Sequence, residues 1–234
     1  MISVNHQRRI KSFVIRSGRM TNSQKRAYVD LWDEYGLVCD HQCIDVESAF
    51  GRKASLVLEI GFGMGDSLVE QAINESERDF LGIEVHKAGV GRLMNEAKKA
   101  GISNLRVICE DAVQVLTEGI KPQSLHGVQI YFPDPWQKIR HFKRRLIQPY
   151  FLDLLAHRVE LNGYCHCATD WAPYAEWMLT AFAKVGTWNN TSDNGGFVPR
   201  PDRRPVTKFE SRGEKLGHQV FDLVFKRCLS DQHL

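Results

Sequence analysis

Asp134 is framed by two prolines in Pro133-Asp134-Pro135-Trp136, directly after an apolar segment, Val128-Gln129-Ile130-Tyr131-Phe132, that reads as a buried strand. Each proline ring fixes φ and removes a backbone donor, and each restricts the residue before it. The carboxylate is therefore carried on a short, stiff turn. Next come Lys138, Arg140, Lys143, Arg144 and Arg145, five cations in eight residues with no acid among them. An anchored acid beside so dense a basic run points to chemistry on a polyanion. The plainer alternative for Asp134 is a turn residue that caps the next helix.

A second group lies earlier. Glu59-Ile60-Gly61-Phe62-Gly63-Met64-Gly65 reads as the junction of a strand and a helix, where glycines allow a tight turn and close approach of backbone to a ligand. Glu59, Glu84 and Asp111 recur about 25 residues apart, each at the carboxyl end of a strand, the edge at which open α/β sheets bind ligands. A dinucleotide fits such a ring of acids poorly, because a pyrophosphate is bound by helix N-termini. S-adenosyl-L-methionine has no phosphate. Its α-ammonium suits an acid near Glu59, its ribose hydroxyls can donate to Glu84, and its adenine amino group can donate to Asp111. Gly61 and Gly63 complete this candidate cofactor set.

The scaffold for these residues is legible in the periodicity. Apolar runs at 56–60, 80–84, 105–109, 125–132 and 163–168 alternate with helical patterns ending near residue 74 and around 89–99, 112–116, 145–160 and 173–184. This alternation predicts an α/β, doubly wound, mostly parallel sheet with helices on both faces. The stretch from His218 to Phe225 reads as a last strand with no crossover helix behind it, so antiparallel pairing is expected. Gly195 to Pro205, rich in Gly, Pro and Arg, reads as a long loop. Cys165-His166-Cys167 is no metal cluster, since alternate strand residues face opposite ways.

The chain has 234 residues and a net charge of +3, unevenly spread. Seven Lys or Arg and no acid occupy residues 1–26, a block typical of arms that bind nucleic acid or of solvated tails. The division expected is a basic arm over residues 1–50, then one domain over 51–234. No apolar run approaches the roughly 20 residues of a membrane span, and the first residues lack the apolar core of a secretory signal. A cytoplasmic protein is expected.

Together these motifs resemble the bacterial tRNA (guanine-N7-)-methyltransferase family. The resemblance rests on the glycine turn with Glu59, Glu84 and Asp111, and on Pro133 to Trp136 with its basic run. Thr169-Asp170-Trp171, Thr207-Lys208-Phe209-Glu210-Ser211-Arg212-Gly213 and the arm from Arg9 to Arg19 extend it over nearly the whole chain. It implies a Rossmann-like class I methyltransferase fold, S-adenosyl-L-methionine as cofactor, and tRNA as partner, with methylation at N7 of guanine 46 in the variable loop. It also implies that Asp134 is catalytic and contacts the cofactor, and that Lys138, Asp170, Thr207, Lys208, Phe209 and Glu210 bind the substrate. No DNA and no membrane partner is expected, and the chain is read as a monomer or homodimer.

Guanine N7 carries an in-plane lone pair and no proton, so the reaction needs positioning and charge stabilisation rather than a base. Lys138 suits guanine O6, and Asp170 can accept from N1 or N2 hydrogens. The density of Arg140, His141, Phe142, Lys143, Arg144 and Arg145 suits RNA binding. Cations would contact phosphates, and His141, Phe142 and Trp136 could stack on bases, although Trp136 suits a core equally well. Two other readings remain open: a dinucleotide oxidoreductase, and an RNA-binding protein without catalysis.

Overall fold

The computed structural model describes residues 10–14, 19–40, 42–206, 210 and 219–229. Helix α1 (Asn22–Asp30) begins at a capping box, in which the Thr21 hydroxyl accepts from Gln24 N–H and the Gln24 side chain accepts from Thr21 N–H. After it come α2 (Trp32–Tyr35), β1 (Gly36–Leu37), α3 (Val46–Phe50), β2 (Leu56–Ile60) and α4 (Asp66–Asn74). Then follow β3 (Asp79–Ile83), α5 (Lys87–Ala100), β4 (Leu105–Ile108), α6 (Ala112–Glu118) and β5 (Leu125–Tyr131). A 3₁₀ turn (Ile139–Arg144) leads to α7 (Pro149–Arg158), β6 (Val159–Thr169), α8 (Ala172–Ala183), β7 (Trp188–Asn190) and β8 (Phe221–Arg227). Strands β2 and β3 are buried at every position, as parallel strands covered on both faces must be.

The sheet order is β1-β4-β3-β2-β5-β6-β8-β7. Strands β1 to β6 pair in parallel, whereas β8 runs antiparallel to both β6 and β7. The chain enters the domain at the central β2, winds outward through β3 and β4, and crosses back to β5. The strand order reverses between β2 and β5, and a crevice opens there at the carboxyl ends. Apolar residues of α6, α7 and α8 bury one sheet face, and those of α4 and α5 bury the other over β2, β3 and β4. Over β5, β6 and β8 that second face is polar. It carries Gln129, Tyr164, His166 and Asp222, and the Arg203 guanidinium lies 4.2 Å from the Tyr164 ring centre.

Three expectations need correction. The division at residue 50 cuts through the packed body: β1 pairs with β4, and α1 packs on α5 so closely that a Cβ on Gly91 would lie 2.3 Å from Gln24 O. The helix expected from 145 starts at Pro149, because a proline suits the first helical turn, and the basic run forms the 3₁₀ turn instead. Strands β1 and β7 are two and three residues long and were not anticipated. Cys165 and Cys167 share one face with sulfurs 4.0 Å apart, while His166 on the other bonds to Tyr131 and Asp222. Among the described residues no helix is long and apolar enough to cross a membrane, and no His, Cys, Asp and Glu group is arranged to hold a metal.

Candidate active site

Gly61, Gly63 and Gly65 have φ of +76°, +58° and +79°, values that glycine adopts without the Cβ clash other residues incur. The loop is packed as tightly as it is turned: a Cβ on Gly89, in the first turn of α5, would lie 1.9 Å from Gly63 O. Glu84, just past β3, is 6% exposed and accepts from Gly63 N (3.0 Å), Val85 N (2.7 Å) and His86 N (3.0 Å). A carboxylate offers about four lone-pair sites, so it retains capacity for a ligand hydroxyl. Asp111 caps α6 by accepting from Val113 N (3.0 Å).

Gly61, Glu84 and Asp111 line a cavity of about 200 Å³ at the switch point, with Tyr131 and Asp134 on the β5 side and Ser12 and Phe13 from the N-terminal segment over it, whereas Gly63 is not part of the lining. Glu84, Glu110, Asp111 and Asp134 line it, with no Lys or Arg among the described residues. Such a wall repels phosphate and suits a cationic, phosphate-free ligand. Glu59 does not line the cavity. It is buried among the strands, and its Oε2 has no hydrogen-bond partner among the described residues. Burial, helped by the charge of Glu84, pushes its carboxyl up to about 8. A buried acid left in this state accommodates a nearby ammonium well.

The Pro133 to Pro135 turn is strained at both shoulders. Phe132 has φ +51° and Trp136 φ +44°, a region that bulky residues rarely enter and that persists only when the surroundings over-determine it. Here they do. Phe132 N donates to Ala168 O (2.8 Å), the Trp136 indole to Ser12 O (2.9 Å), and Arg145 Nε to Pro135 O (2.9 Å). The turn presents Asp134 outward. Its carboxylate makes no hydrogen bond or ion pair among the described residues, and it borders two further cavities besides the first. The larger, about 720 Å³, is also lined by Gln137, Asp170, Trp171, Gln219 and Phe221. Asp134 thus stands on the partition between an acidic cavity and a wider cleft with aromatic walls.

The basic run divides. Lys138, Arg140 and Lys143 are exposed. Arg145 is 2% exposed, with its guanidinium 3.6 Å from the Phe142 ring centre and 4.8 Å from that of Trp177. This corrects its reading as a phosphate contact. Arg144 lies 3.9 Å over the Trp136 ring and donates to Phe13 O (3.2 Å), so it ties down the N-terminal segment. Phe142 packs edge-on against Trp177 at 5.6 Å rather than standing free for a base. His141 is held below its ordinary value by local desolvation and by Arg140, Arg144, Lys138 and Lys143, and so is neutral at pH 7.

On the acceptor side, Asp170 and Gln137 line the wide cleft, and Lys138 does not. Glu210 is not directed at a ligand: it is 3% exposed and bonded to Arg204 at 2.6 and 2.7 Å. Thr207, Lys208 and Phe209 lie outside the described residues. The residues overlooked in the sequence are Ser12, Phe13, Tyr131, Trp171 and Arg204. Trp171 could have been found, because it follows Asp170 at a strand end. The roles of Ser12, Phe13 and Arg204 depend on contacts across more than a dozen residues.

The fold has counterparts among solved structures. A 16S rRNA methyltransferase, KamB, aligns with a TM-score of 0.57 at 14% identity, over 94% of this chain and 99% of that one. A 16S rRNA (adenine(1408)-N(1))-methyltransferase from Catenulisporales acidiphilia, solved with cosubstrate SAM, aligns with a TM-score of 0.55 at 15% identity, over 83% and 97%. The fold is that of a Rossmann-like class I methyltransferase. Residues 53–223 match the Methyltransf_4 family of methyltransferases. The tRNA (guanine-N(7)-)-methyltransferase of Shewanella amazonensis is 52% identical over 94% of this chain and 92% of its own length. That of Photorhabdus laumondii is 50% identical over the same shares. The chain belongs to the tRNA (guanine-N(7)-)-methyltransferase family.

Proposed function

We propose that this protein transfers the methyl group of S-adenosyl-L-methionine to N7 of guanine in tRNA, at position 46 of the variable loop. The observation that carries the reading is the place of Asp134, shared by the acidic cavity and the aromatic cleft. The names of the relatives support the acceptor and the atom. S-adenosyl-L-methionine, when bound, supplies a sulfonium methyl that a neutral nitrogen lone pair can take up.

Each residue then has a task set by its surroundings. Glu84 would accept from ribose hydroxyls and Asp111 from the adenine amino group, while Glu59, buried behind the cavity wall, would act on the α-ammonium through its charge and not by contact. Asp134 takes no proton, since N7 has none to give. As positive charge grows on the purine, a fixed carboxylate at the partition stabilises it without reorganising. Asp170 accepts from the N1 or N2 hydrogens, which adenine does not offer in that pattern, and Lys138, outside the cleft wall, reaches O6 only by swinging in from its exposed position. The acceptor base leaves its stack at a cost of about a few kcal/mol, offset by the aromatic cleft and by phosphate contacts from Arg140 and Lys143. Methyl transfer from labelled S-adenosyl-L-methionine to unmodified tRNA, followed by reduction and aniline cleavage, tests the reading. A single cleavage at the variable-loop guanine is expected. Labelled tRNA that resists cleavage refutes the N7 assignment.

A further inference from the structure

The polar sheet face over β5, β6 and β8 is organised around one guanidinium. Arg204 is 1% exposed and holds two carboxylates at once. Its Nε and Nη2 donate to Asp222 Oδ1 (2.7 Å) and Oδ2 (2.9 Å), and its Nη1 and Nη2 to Glu210 Oε2 (2.6 Å) and Oε1 (2.7 Å). Behind Asp222, His166 Nε2 lies 2.7 Å from Oδ1, and His166 Nδ1 lies 3.2 Å from the Tyr131 hydroxyl. The carboxylate can only accept, so Nε2 donates. Burial holds His166 below its ordinary value against the pull of Asp222, so the ring is neutral and Nδ1 accepts from Tyr131.

This chain of contacts joins two places that matter. Tyr131 is a wall of the acidic cavity. Asp222 follows Phe221, which, with Gln219, forms a wall of the acceptor cleft alongside Asp134 and Asp170. Phe221 is braced by Phe197 at 4.9 Å, and Val198 N donates to Asp222 O (2.9 Å). As a stabilising device the clamp is a poor choice. Well-packed apolar side chains often serve as well or better than buried ion triads, whereas removing one partner is costly. What two opposed bidentate forks do supply is geometry. The rest of β8 does not need them, because Leu223 and Phe225 already bury its other face in the core.

We propose that Arg204 is a positioning residue for the acceptor base: by clamping Asp222 and Glu210 it fixes the Gln219–Phe221 wall of the cleft and ties it to the cofactor-side Tyr131. The inference rests on the reading of the wide cleft as the guanine site. Arg204→Lys keeps the charge but cannot form two forks. Steady-state methylation with tRNA varied should show kcat/KM for tRNA reduced by about 10- to 100-fold, the scale of a base misplaced by an ångström. Affinity for S-adenosyl-L-methionine, read by calorimetry, should stay within about twofold of the unmodified protein, since the glycine loop, Glu84 and Asp111 lie outside the clamp. Asp222→Asn, which leaves the Arg204–Glu210 pair electrically balanced, should move the same two quantities the same way.

Wild-type kcat/KM for tRNA in both variants overturns the proposal. So does parallel loss of cofactor affinity and tRNA methylation, or failure of both variants to fold, since either marks a purely structural clamp. Absence of guanine-N7 methylation by the unaltered protein refutes the functional reading instead.

Discussion

Asp134 has no proton to move in N7 methylation, so its worth lies in where it is held. Asp134→Ala should lower kcat by about 10²- to 10³-fold, the range for losing one preorganised electrostatic group, while filter binding finds tRNA affinity unchanged. A mutant turning over at the unaltered rate would leave the carboxylate a mere turn residue. Glu59 yields a prediction with a sign. Its carboxyl is raised from 4.5 to about 8 by burial, so between those values the folded chain holds a proton that the unfolded chain releases. Stability from this group therefore falls as pH rises through that window. Glu59→Gln should be more stable than the parent at pH 8 and equal to it near pH 4, with melting curves as the check. Cofactor binding should release a proton near pH 7, visible as calorimetric heats that depend on the buffer. The places of Glu59, Glu84 and Asp111 at successive strand ends were legible from their spacing. That Glu59 Oε2 finds no hydrogen-bond partner among the described residues was not, because it depends on which neighbouring strands supply donors.

At the scale of elements, the 3₁₀ turn between β5 and α7 separates two kinds of cation that look alike in the sequence. Arg140→Ala and Lys143→Ala together should flatten the salt dependence of tRNA binding by about one log–log unit for each phosphate no longer neutralised. Arg145→Met should leave that slope alone and lower the melting temperature, because the Pro135 carbonyl is left without its partner. Equal slopes in the two variants would erase the distinction. The strands and most helices were readable from alternation, since parallel strands are uniformly apolar and their crossovers long. The 3₁₀ turn was not, because its conformation comes from Arg145 reaching Pro135 O and three aromatic rings. Strand β1 escaped for a simpler reason: two residues carry no period. Its placement follows from α1 docking on α5. There Gly91→Leu should unseat α1 and cost about 1–3 kcal/mol of stability, the range for overpacking, as measured by denaturant titration.

Across the whole molecule, the described part of the N-terminal segment, residues 10–14, reaches over the switch-point crevice and is held there by groups of the distant turn. The basic character of this segment was plain, but its destination was not, since Ser12 and Trp136 are joined by one indole hydrogen bond across 124 residues. Trp136→Phe keeps a ring beneath Arg144 and deletes that bond. Loss of about 1 kcal/mol should speed cofactor dissociation roughly fivefold, measurable by stopped flow. An unchanged rate would mean that the segment does not guard the cavity. The same turn has a spectroscopic consequence. Pro133 and Pro135 carry no amide hydrogen, and that of Phe132 is sequestered by Ala168 O, so across these four residues Asp134 alone is left to report by amide exchange. The signal passes to the Trp136 indole, hydrogen-bonded at one edge to Ser12 O and faced by the Arg144 guanidinium. Once the emission of the other four tryptophans is subtracted, that of Trp136 is an optical gauge of both the N-terminal cover and the basic turn.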